Sequence, residues 1–254
     1  MSKEIAPLSG KIALVTGGAH PKGIGFAIST ALKANGAEVF DCDLTPDTSD
    51  GCFACDVTKP DDVSKAVDVC LERYGRIDIL VNNAGVGVGD PDFLKLSQQD
   101  WALSLGVNLL GIANMCQAAI PHMKSSGGSI INIASLAGLG AIADIPACYT
   151  ASKFAAIGLT KALSLQFAEC NIRVNAICPG SVVTQMHEMT LQNLSEEHGI
   201  SLEEAQALED SNIPLGRSAS PEEIATTAVF LAGDQSKYMT GVALPVAGGM
   251  MPGL

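Results

Sequence analysis

The sequence predicts an α/β fold: a doubly wound parallel sheet of about seven strands, with helices on both faces, in one domain spanning residues 1–254. Three observations predict it. Short apolar runs alternate with longer stretches of helical periodicity, the pattern of a parallel sheet buried on both sides. A glycine-rich turn follows the first run and opens the first helix. No internal repeat or low-complexity linker divides the 254 residues, a length that α/β domains often reach alone.

The elements follow in order. Lys11–Val15 is an apolar strand ended by Thr16-Gly17-Gly18, and Gly25–Asn35 is a helix stopped by Gly36. Glu38–Cys42 and Phe53–Cys55 are the next strands, and acidic residues open a helix over Asp61–Tyr74. Ile77–Val81 is a strand, Trp101–His122 a long helix, Ser129–Ile133 a strand, and Tyr149–Cys170 a second long helix. Ile172–Ile177 is the sixth strand, Pro221–Ala232 a helix and Val242–Val246 the last strand. The polar stretch 185–217 is either a helical lid over a site or a solvated insertion, and its place in the fold favours the lid.

Composition narrows the function classes. Apolar residues make up 47% and charged residues 17%, enough to bury a sizeable core. A net charge of −12 and the lack of any basic run argue against nucleic acid, which needs cations to neutralise phosphates. The eight cysteines are scattered and several lie in apolar runs (Cys116, Cys148, Cys178), unlike a disulfide framework. Cys52 and Cys55 form a lone C-x-x-C without the second ligand pair of a structural zinc site, so no metal is expected. No signal peptide precedes Leu8 and no apolar run reaches the length of a membrane span, so no membrane association and a cytoplasmic, reduced setting are expected.

The turn Thr16-Gly17-Gly18-Ala19-His20-Pro21-Lys22-Gly23-Ile24-Gly25 lies between strand and helix, the context of a Rossmann-like dinucleotide site. Its glycines let backbone N–H groups approach a pyrophosphate. Asp43 falls at the end of the second strand, where a carboxylate accepts from adenosine ribose hydroxyls and repels a 2′-phosphate. That favours NAD over NADP, while Lys22 argues the other way because a cation there could reach a 2′-phosphate. Tyr149 and Lys153 stand four apart on one helix face. An ammonium beside a phenol favours the phenolate, so Tyr149 is expected to exchange protons near neutral pH.

With these runs placed, the chain resembles the single-domain short-chain dehydrogenase/reductase family over roughly residues 8–249. The motifs come as an ordered series. After the glycine turn (Gly17, Gly23, Ile24, Gly25) and Asp43 come Asp56-Val57, which in the family flank the adenine, and Asn83-Ala84-Gly85 of the N-N-A-G run. Asn108 matches a structural and catalytic asparagine, Ser135 the catalytic serine, and Tyr149 with Lys153 completes the tetrad. Pro179-Gly180-Ser181-Val182-Val183-Thr184 resembles the segment that borders the nicotinamide, implicating Pro179, Gly180, Val182 and Thr184. Three departures stand out: about two extra residues in the glycine turn near His20–Lys22, one extra residue between Ser135 and Tyr149, and Ala247 in place of a common acidic residue.

The resemblance implies an NAD-dependent oxidoreductase. Tyr149 would remove the hydroxyl proton, Lys153 would lower the Tyr149 pKa and hold the nicotinamide ribose, Ser135 would donate to the substrate oxygen, and Asn108 would hold a relay water. The substrate loops offer Leu136, Ile145, Cys148, Val182, Met186 and Met189, with Asp144 and His187 as polar exceptions. His187 either binds a substrate hydroxyl or carboxylate or is structural. Without an Arg or Lys cluster in these loops, the expected substrate is a small neutral secondary alcohol, polyol or sugar and its ketone. An NADPH-dependent ketoreductase of acyl thioesters and a non-catalytic nucleotide-sensing protein are the alternatives. The resemblance also implies a homotetramer paired through the two long helices.

Overall fold

The computed structural model describes residues 6–45 and 51–251, so the ends of the expected domain, residues 1–5 and 252–254, lie outside the described residues. Seven strands form one parallel sheet: β1 (Ile12–Thr16), β2 (Glu38–Asp43), β3 (Phe53–Ala54), β4 (Ile79–Asn82), β5 (Gly128–Ile133), β6 (Ile172–Pro179) and β7 (Ala243–Val246). Their order is β3-β2-β1-β4-β5-β6-β7. β1 pairs with both β2 and β4, so the direction of winding reverses between β1 and β4. In open α/β sheets the ligand crevice lies at that reversal, outside the C-terminal strand ends.

The two-residue period of the strands divides the core. From β1, Ile12 and Leu14 enter one apolar layer and Ala13 and Val15 the other. The first layer is closed by α2 (Pro60–Tyr74), α4 (Ile112–Met123) and α5 (Ala147–Gln166), the second by α1 (Ile24–Ala34) and α8 (Pro221–Ala232). All five residues of β1 are buried, which is why it reads as an unbroken apolar run.

Two departures from the predicted elements matter for the site. The long helix expected over Trp101–His122 is α3 (Gln98–Leu105), a π-helical turn over Gly106–Gly111, and then α4. A Cβ on Gly111 would lie 2.7 Å from Val57 Cγ2, so this glycine lets the helix press onto the loop after β3. An 18-residue window within Gln98–Met123 also reaches the mean hydropathy (1.4) of a membrane span, longer than the sequence suggested, but the stretch is wedged against the sheet and α5. The second departure is in the polar stretch 185–217. It forms two capped helices, α6 (Gln185–His198) and α7 (Leu202–Ser211). Thr184 caps the start of α6, Gly199 ends it with φ 63°, and Ser201 and Glu204 form a capping box on α7.

Candidate active site

The glycine turn is built by close backbone approach. Gly17 has φ +69°, and a Cβ on Gly25 would lie 2.2 Å from Gly17 O, so neither position tolerates a side chain. Asn83 Nδ2 donates to Thr16 O (2.9 Å) and Gly17 O (3.0 Å), and the Asn83 and Ala84 amides donate to Thr16 Oγ1. This stitches the turn to the loop after β4. Gly23 and Ile24 start α1 with no side-chain cap, so its first amides face the turn as a ready anion site. The residues present therefore fit a dinucleotide pyrophosphate.

Asp43 Oδ2 accepts from Ala19 N at 3.1 Å and Oδ1 from Thr45 N at 3.4 Å, which fixes the carboxylate at the end of β2 beside the turn. Lys22 is held elsewhere. Its ammonium lies 2.8 Å from Glu188 on α6. Asp56 accepts from Thr58 N and Oγ1 and lies 3.2 Å from Lys59; the Thr58 hydroxyl bond holds its carboxyl below the usual range. Val57 is buried against Gly111, and its carbonyl accepts from Asn114 Nδ2 at 2.9 Å.

The catalytic candidates converge at the C-terminal end of β5. Ser135 follows the strand in an extended conformation, its Oγ accepts from Ala137 N at 3.1 Å, and its hydroxyl hydrogen-bonds the Tyr149 phenol. Lys153 is buried, donates to Ile133 O at 3.1 Å, and lies 5.5 Å from the Tyr149 ring centre. Gly85 faces both Asn108 and Lys153: a Cβ there would lie 3.3 Å from Asn108 Oδ1 and 3.4 Å from Lys153 Nζ. Asn108 sits in the π turn, and its amide is fully engaged, with Val86 N to Oδ1 (2.9 Å) and Nδ2 to Val86 O and Ser152 Oγ (3.0 Å each).

Sequence reasoning passed over Ser152. Its hydroxyl accepts from Asn108 and donates to Tyr149 O at 2.7 Å, joining the π turn to the first turn of α5. The available signal was its place beside Lys153 on the helix face turned toward the long helix.

Electrostatics correct one expectation. Tyr149 was expected to titrate near neutrality, but burial pushes its phenol above the ordinary value, and the Ser135 hydrogen bond only partly offsets this. The lysine supplies no downward pull because it addresses the ring and Ile133 O, and burial pushes its own pKa down to about 8.

The substrate-side residues separate into two groups. Leu136 and Cys148 are buried, Cys148 donating to Val88 O at 3.3 Å, so they support the cleft wall from behind. Asp144 is exposed on the β5–α5 loop with φ 59°, and Ile145 follows it half-buried. Met186 reaches across the cleft, its sulfur 3.3 Å from where a Gly87 Cβ would lie. His187 does not face this cleft. It is buried, and its Nε2 lies 2.7 Å from Glu209 Oε2. Glu209 also accepts from Ser181 Oγ at 2.6 Å, and Ser181 meets Ser218 at 2.9 Å. His187 is thus the structural alternative raised above: it ties α6 to α7 and to the loop after β6.

In the segment after β6 that was expected to border the nicotinamide, Gly180 N donates to Val246 O (3.1 Å), Pro179 ends β6, Val182 is buried in the second apolar layer, and Thr184 Oγ1 accepts from His187 N (3.3 Å).

The family model described as "Enoyl-(Acyl carrier protein) reductase" matches residues 17–251. The chain belongs to the short-chain dehydrogenase/reductase family. Among its members, the 3-oxoacyl-[acyl-carrier-protein] reductase of Thermotoga maritima is 36% identical, the match covering 96% of this chain and 99% of that protein. The D-threitol dehydrogenase of Mycolicibacterium smegmatis is 38% identical over 95% of this chain and 93% of its own. The ligand-free aldohexose dehydrogenase of Thermoplasma acidophilum superposes with a TM-score of 0.87 at 32% identity, covering 96% of this chain and 95% of that one. As a short-chain dehydrogenase/reductase the protein is an oxidoreductase that uses a nicotinamide cofactor and a small-molecule substrate, and its fold is the Rossmann-like one expected.

Proposed function

We propose that the protein is an NAD-dependent dehydrogenase interconverting a small neutral secondary alcohol, polyol or sugar and its ketone. The observation that carries this reading is the convergence of Ser135, Tyr149 and Lys153 at the end of β5, facing the glycine turn across the reversal of the sheet. Gly17, Gly23, Ile24, Gly25, Asp43, Asp56, Val57, Asn83, Ala84 and Gly85 would hold the cofactor, with Pro179, Gly180, Val182 and Thr184 bordering it. When bound, NAD supplies the hydride acceptor.

The side chains do the rest. Ser135 donates to the substrate oxygen, stabilising negative charge there. Tyr149 takes the hydroxyl proton in oxidation and returns it in reduction. Lys153, buried as a cation near neutral pH, orients the neighbouring ribose. Asn108 acts through Ser152, which fixes the start of α5, since its side-chain amide is fully used by Val86 and Ser152. Relatives named D-threitol and L-fucose dehydrogenase, with the aldohexose dehydrogenase, support a polyol or sugar.

Asp43 supports NAD, since among the described residues no cation pairs with it at the end of β2, where its carboxylate would repel a 2′-phosphate, whereas Lys22 is engaged by Glu188. Relatives named 3-oxoacyl-[acyl-carrier-protein] reductase favour a second reading, an NADPH-dependent ketoreductase of acyl thioesters. Against it, the loops around the cleft carry Asp90, Asp92, Asp144 and Glu188, and the cations among them, Lys22 and Lys95, are already ion-paired. Exposed Leu103, Leu110, Phe154 and Leu165 on α3, α5 and the turn between α3 and α4 support the homotetramer, and we infer a cytoplasmic enzyme from the free thiols. Fluorescence titration tests the cofactor assignment. Wild type should bind NADH at least about tenfold more tightly than NADPH, and Asp43→Ser should narrow that ratio at least about fivefold. Equal affinities in wild type would contradict it.

A further inference from the structure

The first turn of α6 touches both banks of the cofactor cleft. On one bank, Glu188 Oε1 lies 2.8 Å from Lys22 Nζ, in the part of the glycine turn that is longer than the family pattern. On the other, Met186 rests on Gly87 in the loop after β4. The strap between these contacts starts at Thr184, whose hydroxyl caps the helix. It lies over the space between the glycine turn and the β4 loop, where Asn83 already joins the two. His20 is adjacent too: its Nδ1 accepts from Lys22 N at 3.2 Å and shapes the extended turn so that the lysine stands toward α6.

We propose that Lys22 and Glu188 form a latch that holds α6 across the cofactor cleft and slows cofactor release. They are positioning residues, and the inference rests on the cofactor reading above. A group bound beneath the strap leaves only when the first turn of α6 lifts, and lifting separates this ion pair while Met186 slides off Gly87. Both charged side chains are about half exposed or more, so the pair is screened by salt and its effect is modest.

The test is the NADH dissociation rate, measured by stopped-flow displacement, for wild type, Lys22→Gln, Glu188→Gln and the charge-exchanged double variant Lys22→Glu/Glu188→Lys. The single variants should release NADH about two- to fivefold faster, and the exchanged pair should return to within about twofold of wild type. Raising salt from about 0.05 to about 0.5 M should speed release from wild type and leave the single variants nearly unchanged. In cofactor-free protein, amide hydrogen exchange over residues 185–191 should be faster in Glu188→Gln. Equal release rates and equal exchange in all variants would overturn the latch while leaving the cofactor reading intact. A wild type that binds no NADH would overturn the cofactor reading, and the exchange comparison, which needs no cofactor, then decides the latch alone.

Discussion

The ledge made by β4, β5, α5 and the π turn, and the helical pair α6 and α7 that we propose as a lid, flank the same cleft and are held by different forces. On the ledge, Asn108, Ser152 and Lys153 are buried and each hydrogen-bonded across elements far apart in sequence. On the lid, Met186, Met189, Leu202 and Leu208 remain substantially exposed, and the helices are anchored by a small polar cluster around His187, Glu209, Ser181 and Ser218. A buried polar network fixes geometry because any unmade hydrogen bond is costly, whereas a lightly packed lid opens with little loss. Proton transfer needs the first kind of support and substrate entry the second.

Lys153→Met separates function from stability on the ledge and has the largest expected effect. Turnover should fall at least about a hundredfold, because the ammonium that would position the cofactor ribose beside Tyr149 is gone. Stability near pH 7 should rise, since burial holds the Lys153 pKa at about 8 against 10.5 for the free side chain, a penalty on the order of 3 kcal/mol. A lowered pKa in the folded state means that the unfolded chain binds the extra proton. The penalty is therefore full below about pH 8 and fades as pH rises toward 10.5. Buried thiols such as Cys70 and Cys116 pull both proteins down together at high pH, so the quantity to follow by thermal denaturation is the gap between variant and wild type, which should narrow across that window. A variant less stable than wild type at pH 7 would contradict this account.

The lid should respond more gently. His187→Ala leaves the Glu209 carboxylate with one partner fewer. Burial pushes that carboxyl upward, and the bonds from His187 and Ser181 now outweigh it. The loss should cost about 1–2 kcal/mol and raise the substrate KM several-fold with kcat changed less than twofold, and His187→Gln should recover most of it. An unchanged KM, or a fall in kcat as large as that of Lys153→Met, would erase the distinction between ledge and lid.

The same division governs what the sequence discloses. Strand periodicity, the glycine turn and the spacing from Tyr149 to Lys153 are local patterns, and each element they predict is present to within a few residues. The π turn at Gly106–Gly111 carries no periodic signature, because it arises from packing of Gly111 on Val57, 54 residues upstream. The role of His187 depends on Glu209, reached only after α6 turns back into α7, and its residue type alone suggested a ligand as readily as a brace. The raised Tyr149 pKa depends on burial and on where the Lys153 ammonium points, neither of which helix spacing specifies. Chemistry written in short motifs was legible; its tuning by distant contacts was not.

The measurement closest to the central claim is NADH and NADPH formation from a panel of neutral secondary alcohols, polyols and sugars, run in parallel with NAD and NADP and with Tyr149→Phe as control. The account predicts turnover with NAD that rises with pH toward the phenol's elevated pKa and falls at least about a thousandfold in Tyr149→Phe. Turnover confined to NADP, or NAD-dependent turnover that survives the loss of the phenol, would contradict it.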